Sequence, residues 1–117
     1  MYTIDFRGDL NLLDIAWSVT FSPQDVIDYA RELKAHFVRQ GFRPGYKLRI
    51  DMRLSAIQTQ QALPVFAEHF ADFPKASRIA IVTPSTLASL QVKRVMTQPY
   101  LRVFKRAEDS MAWLVGD

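Results

Sequence analysis

The residues able to do chemistry in this chain are few and scattered. Its only histidines, His36 and His69, lie in separate segments. They lack the His-x-x-x-His spacing that would put two ring nitrogens on one helix face, so amphipathic surface positions explain them better than a metal centre. Cysteine is absent, which excludes thiolate catalysis, cysteine-ligated zinc and disulfides. No serine sits in a nucleophile-elbow sequence, and no glycine-rich loop offers a phosphate cradle. Asp51, between Arg49 and Arg53 on one strand face, has the setting of a tuned carboxylate. A structural ion pair on the polar face of a sheet is the plainer account. Thr83-Pro84-Ser85-Thr86 closes an apolar strand and opens a helix, the place where open α/β sheets hold ligands. Thr83, Ser85 and Thr86 can contact an anion there, although capping by Thr83 or Ser85 explains the same residues. The expectation is a protein with no catalytic residues, no cofactor and no metal.

Composition narrows the class further. The chain has 117 residues, 49% hydrophobic, with a net charge of +3. That is enough for one domain, residues 1–117, and too apolar for disorder. Acidic residues interrupt the basic groups, so neither a basic face nor a row of stacking aromatics for nucleic acid emerges. The start, MYTIDFRGD, lacks the basic and apolar regions of a signal peptide, and no apolar run is long enough to cross a bilayer. A soluble cytoplasmic protein without a membrane span is expected.

The elements that must position these residues read in order. Tyr2 to Phe6 is a short strand, and Gly8-Asp9 turns into a second one. There Leu13, Ile15, Trp17, Val19 and Phe21 alternate with smaller or polar residues. Ser22-Pro23-Gln24-Asp25 starts a helix carrying Val26, Ala30, Leu33 and Phe37 at helical spacing and ending at Gly41. Lys47 to Arg53 alternates as a strand, with Leu48, Ile50 and Met52 opposite Arg49, Asp51 and Arg53. A helix from Pro64 to Phe73 follows a looser turn through Gln58 to Gln61. Arg78 to Val82 is a buried strand, and the helix after it turns Leu87, Leu90 and Met96 inward. Leu101 to Phe104 makes the last strand, and Glu108-Asp109 open a helix burying Met111, Trp113 and Leu114. Strands and helices alternating in this way predict an α/β fold of about five strands and four helices, ordered ββαβαβαβα. The sheet opens with an antiparallel hairpin and continues mostly parallel. Its one-sided strands predict helices mainly on one face.

This order, with Ile50-Asp51-Met52-Arg53, Arg78-Ile79-Ala80-Ile81-Val82, Leu87 to Arg94 and Val103-Phe104 followed by Ala112-Trp113-Leu114, resembles the STAS superfamily. The nearest branch is the stand-alone SpoIIAA-like one, related to lipid carriers of the CRAL-TRIO type. The resemblance implies a regulatory module that works through protein contacts. It also implies a phosphoacceptor serine in an Asp-Ser-Ser-Gly motif at the helix start after the third strand. Here that stretch reads Gln58-Thr59-Gln60-Gln61-Ala62, without the aspartate, serines or glycine. Ser55 and Thr59 are the nearest hydroxyls, and Thr59 equally suits a helix cap.

The reading is therefore a non-catalytic STAS-like binding module. Its expected contacts are the polar sheet face and the helix starts near Thr59 and Thr83, with a protein partner or a second copy as the occupant. The alternative is a carrier or sensor of a small apolar or lipid-like ligand, held among Trp17, Phe37, Phe66, Phe70, Phe73 and Trp113.

Overall fold

A computed structural model describes residues 2–18, 22–54, 64–65, 68 and 73–116. Within them, β1 (Tyr2–Arg7), β2 (Leu12–Trp17), β3 (Lys47–Asp51), β4 (Arg78–Val82) and β5 (Leu101–Phe104) form one sheet in chain order. β1 and β2 pair antiparallel as a hairpin, joined by a 3₁₀ turn over Gly8–Leu10 with Asn11 in the left-handed region. Every later pairing is parallel. The expected mixed α/β sheet is thus present, though β2 begins two residues later than the alternating pattern suggested. Three α-helices accompany it among the described residues: α1 (Pro23–Gln40), α2 (Thr86–Val95) and α3 (Ala107–Val115). Most of the helix expected from Pro64 to Phe73 lies outside the described residues, as do Val19 and Phe21.

α1 owes its boundaries to its caps. The Ser22 hydroxyl accepts from the Asp25 backbone N–H at 3.1 Å, and the Asp25 carboxylate accepts from the Ser22 N–H at 3.0 Å. Pro23 fills a position whose N–H would have no helical partner, and Gly41 closes the helix at a φ of 69°. Val26, Tyr29, Ala30, Leu33 and Phe37 form its buried stripe, while Val38 is exposed.

The direction of the crossovers decides which face each helix covers. Parallel strands added one after another on the same side, with crossovers of the usual hand, put the connecting helices on a single face. α1 and α2 accordingly share the face presented by Leu13, Ile15, Ile50, Ile79 and Ile81, with Val65 and Phe73 packed against the same cluster. α3 instead lies on the opposite face and seats Leu114 against Leu12 and Ala80, all three fully buried. Among the described helices the expectation of helices mainly on one face holds for the two crossover helices α1 and α2, with the last helix the exception. The methyl side chain of Ala80 permits that approach.

The expected inward face of α2 holds at Met96, which packs against the core, and is corrected at the other two positions. Leu87 and Leu90 are exposed, and Ala88 is the buried residue of that turn. Ser85 fixes this phase, because its hydroxyl accepts from the Ala88 N–H at 3.1 Å and directs that side of the first turn to the sheet.

Candidate functional site: an apolar cavity on the crossover face

The two faces of the sheet differ in how well they are filled. At one end of the crossover face, Phe6, Phe37, Phe42 and Tyr46 pack mostly edge to face, with Phe6 and Phe42 tilted, at centroid distances of 4.6 to 6.1 Å. His36 stacks on Phe6 in this group at 5.4 Å and is half-buried, a packing role that needs no metal. Beyond them, between α1 and α2, the described residues line a cavity of about 590 Å³. Its floor is Leu13, Ile15, Ile50, Ile79 and Ile81, while Leu33 and Val92 stand on either side. Such a volume falls within the range of small-molecule sites. A void of this size also forfeits dispersion contacts that a packed core would make, so it is costly unless something occupies it.

The floor is apolar because of strand alternation. Residues two apart in β2, β3 and β4 send Leu13 and Ile15, Leu48 and Ile50, and Ile79 and Ile81 to the same side. Besides Trp17, Tyr29, Tyr46 and, on α2, Gln91, the polar lining lies in the loops that precede β4 and β5, at residues 73–76 and 96–100. There the Tyr46 hydroxyl donates to the Pro74 carbonyl at 3.0 Å, and burial pushes it up to about 12, so it stays protonated. Burial pushes Tyr29 up as well, against the opposing effect of its hydrogen bond with Trp17. Lys75 is the one charged residue in the described lining, and it is exposed. Gln98 contributes a side-chain oxygen that is buried and has no hydrogen-bond partner among the described residues.

The opposite face carries the ionisable groups. Arg49 and Asp14, aligned across β2 and β3, form a two-pronged pair at 2.7 and 2.9 Å. Asp51 receives hydrogen bonds from the Arg53 side chain and backbone at 2.7 to 3.1 Å. Burial raises its pKa, but those bonds and the charges of Arg53 and Arg49 more than offset this and hold the carboxyl below its usual value. Asp51 is thus kept ionised and paired, the opposite of a general acid. Arg49, expected to flank it as a partner, bonds to Asp14 instead.

The anion contact expected at Thr83, Ser85 and Thr86 takes a different form. Thr83 is buried and its hydroxyl accepts from the Ser85 N–H at 3.2 Å, while the Ser85 hydroxyl caps α2. Thr86 is exposed. Both inner hydroxyls are engaged within the turn, and none of the three residues lines the cavity. Ser55 and Thr59 lie outside the described residues, as do His69, Phe66 and Phe70. Of the aromatics expected around a ligand, Trp17 and Phe73 line the cavity. Phe37 packs in the aromatic group beside it, and Trp113 lies on the other face against Phe104 and Arg102. Tyr29, Tyr46 and Gln98 were not among the expected contacts. The one sequence signal for the last was Met96-Thr97-Gln98-Pro99-Tyr100, a polar and aromatic loop longer than a helix stop requires.

Among the described residues no group of three or more histidine, aspartate or glutamate side chains is arranged to hold a metal ion, and no helix is long and apolar enough to cross a membrane. No family model matches the chain, and no curated protein matches it either.

Proposed function

We propose that this chain is a non-catalytic STAS-like binding module whose ligand is a small, largely apolar molecule held on the crossover face of the sheet. The observation that carries this reading is the cavity of about 590 Å³ with an apolar floor. Burying apolar ligand surface there gains roughly 25 cal/mol per Å², and filling the void restores the contacts it forfeits. The STAS-like affiliation rests on element order and on Ile50-Asp51-Met52-Arg53 and Arg78 to Val82, in keeping with the five-stranded mixed sheet. Native mass spectrometry of protein purified from its own host tests the reading. A retained small molecule is expected, released on unfolding. Ligand-free protein that also fails to bind medium-chain alcohols and acids would overturn it.

A second reading, regulation through a protein partner or a second copy of the chain, draws on Leu87 and Leu90. They stand one turn apart on α2 and are both more than half exposed. The same spectra register a dimer, and Leu90→Glu is expected to dissociate it. A monomer with no partner-dependent loss in that variant counts against this reading.

A further inference from the structure

The polar lining of the cavity specifies what kind of molecule fits, an inference that rests on the ligand-binding reading above. Gln98 stands in the loop between α2 and β5, in the wall between the cavity and a shallow surface depression that also includes Lys93 and Arg102. Its side-chain oxygen is buried without a partner among the described residues. A buried carboxamide oxygen left in that state loses water without gaining a replacement bond, a standing cost to the empty protein. A core position in this loop would be better served by leucine or methionine. The amide makes sense where a third group arrives to use it.

We propose that Gln98 is the polar anchor of the cavity, turning its amide oxygen to accept a hydrogen bond from an uncharged, mainly apolar ligand bearing one hydroxyl or N–H group. Gln91 and Thr97 also line the cavity, Thr97 at an exposed position, and the rest of the lining agrees. The five floor residues offer only hydrocarbon, and the Tyr46 hydroxyl is already given to Pro74. The tyrosine hydroxyls stay protonated because burial penalises charge, and the same penalty falls on an ionised ligand group lodged among them. Lys75 is exposed to solvent, so its charge stays hydrated outside the apolar floor. A ligand lying along Ile79 and Ile81 brings one end to the 96–100 loop, where Gln98 waits.

Calorimetric titration of the intact protein with n-octanol, its isomer heptyl methyl ether and n-octanoate tests this. The alcohol and the ether match in size and atom count and differ in whether they can donate. The alcohol is expected to bind about tenfold more tightly, the effect of one well-placed hydrogen bond in a dry site. Gln98→Leu should bring the two within about twofold, chiefly by weakening the alcohol. With no ligand present the same variant should melt no lower than the native protein, since it removes an unpaired polar atom. Equal binding of alcohol and ether by the native protein would overturn the anchor while leaving the cavity reading in place. Tightest binding of octanoate would overturn it too, and shift recognition to Lys75. Binding of none of the three would remove the ligand-binding reading itself, and this inference with it.

Discussion

The two faces of the sheet are built from the same strands and reach opposite solutions. On the α3 side a small residue, Ala80, draws a short helix close and leaves Leu12 and Leu114 without exposure. On the α1 and α2 side the strands present larger residues, and among the described residues a cavity remains between the aromatic cluster and Val92. One face is filled by hydrocarbon and crossed by ion pairs, while the other is apolar and incompletely filled. Side-chain size at a few strand positions determines which face can be a site.

Enlarging one alanine on each face should give opposite results, and this is the largest effect expected. Ala80→Leu forces α3 off the sheet and should cost about 3 kcal/mol in urea denaturation. Ala76→Leu, at a buried position that lines the cavity, should change stability by less than about 1 kcal/mol, because the added side chain enters the cavity, and weaken octanol binding more than tenfold. Equal penalties for the two would break the comparison.

The faces should also fail at opposite ends of the pH scale. The Tyr46 pKa is raised by burial to about 12 from its ordinary 10.0. Its contribution to stability is therefore complete below pH 10 and is lost as pH rises towards 12. Tyr46→Phe should cost about 1 kcal/mol at neutral pH, through loss of the bond to Pro74. In alkaline denaturation that deficit should close and reverse by about 2 kcal/mol relative to the native protein. On the other face Arg49→Met strands the half-buried Asp14 carboxylate, and about 1.5 kcal/mol should be lost. A double-mutant cycle with Asp14→Asn should recover most of it as coupling. The smallest effect belongs to Asp51. Its lowered pKa places its contribution above the unfolded-state value, to be lost as pH falls through the folded one. Asp51→Asn should cost under about 1 kcal/mol at neutral pH, given the exposure of the pair, and nothing in acid.

Much of this arrangement was legible in residue patterns, because period and capping are local. The alternation at Leu13-Ile15-Trp17 and Leu48-Ile50-Met52 gave the apolar floor, and Ser22-Pro23 with Gly41 gave α1 at both ends. What escaped depends on distances between elements. The position of α3 depends on the small size of Ala80, which lets Leu114 approach the sheet and has no periodic signature. The exposure of Leu87 and Leu90 follows from a helix phase set by one serine hydroxyl. The cavity was anticipated only through its aromatics, because a void is a property of how far α1 and α2 stand apart. The loop Met96 to Tyr100 was the one signal for Gln98, and it could not show an unpaired amide, which is defined by neighbours that sequence order does not bring together.

The central claim, that the crossover face and not the α3 face receives a ligand, is tested most directly by following side-chain methyl signals in NMR during titration with n-octanol. Saturable shifts confined to Ile15, Ile50, Ile79, Ile81, Val92 and Met96 are expected, with Leu12 and Leu114 unmoved. Shifts centred on Leu12 and Leu114, or no saturable shift at all, would contradict it.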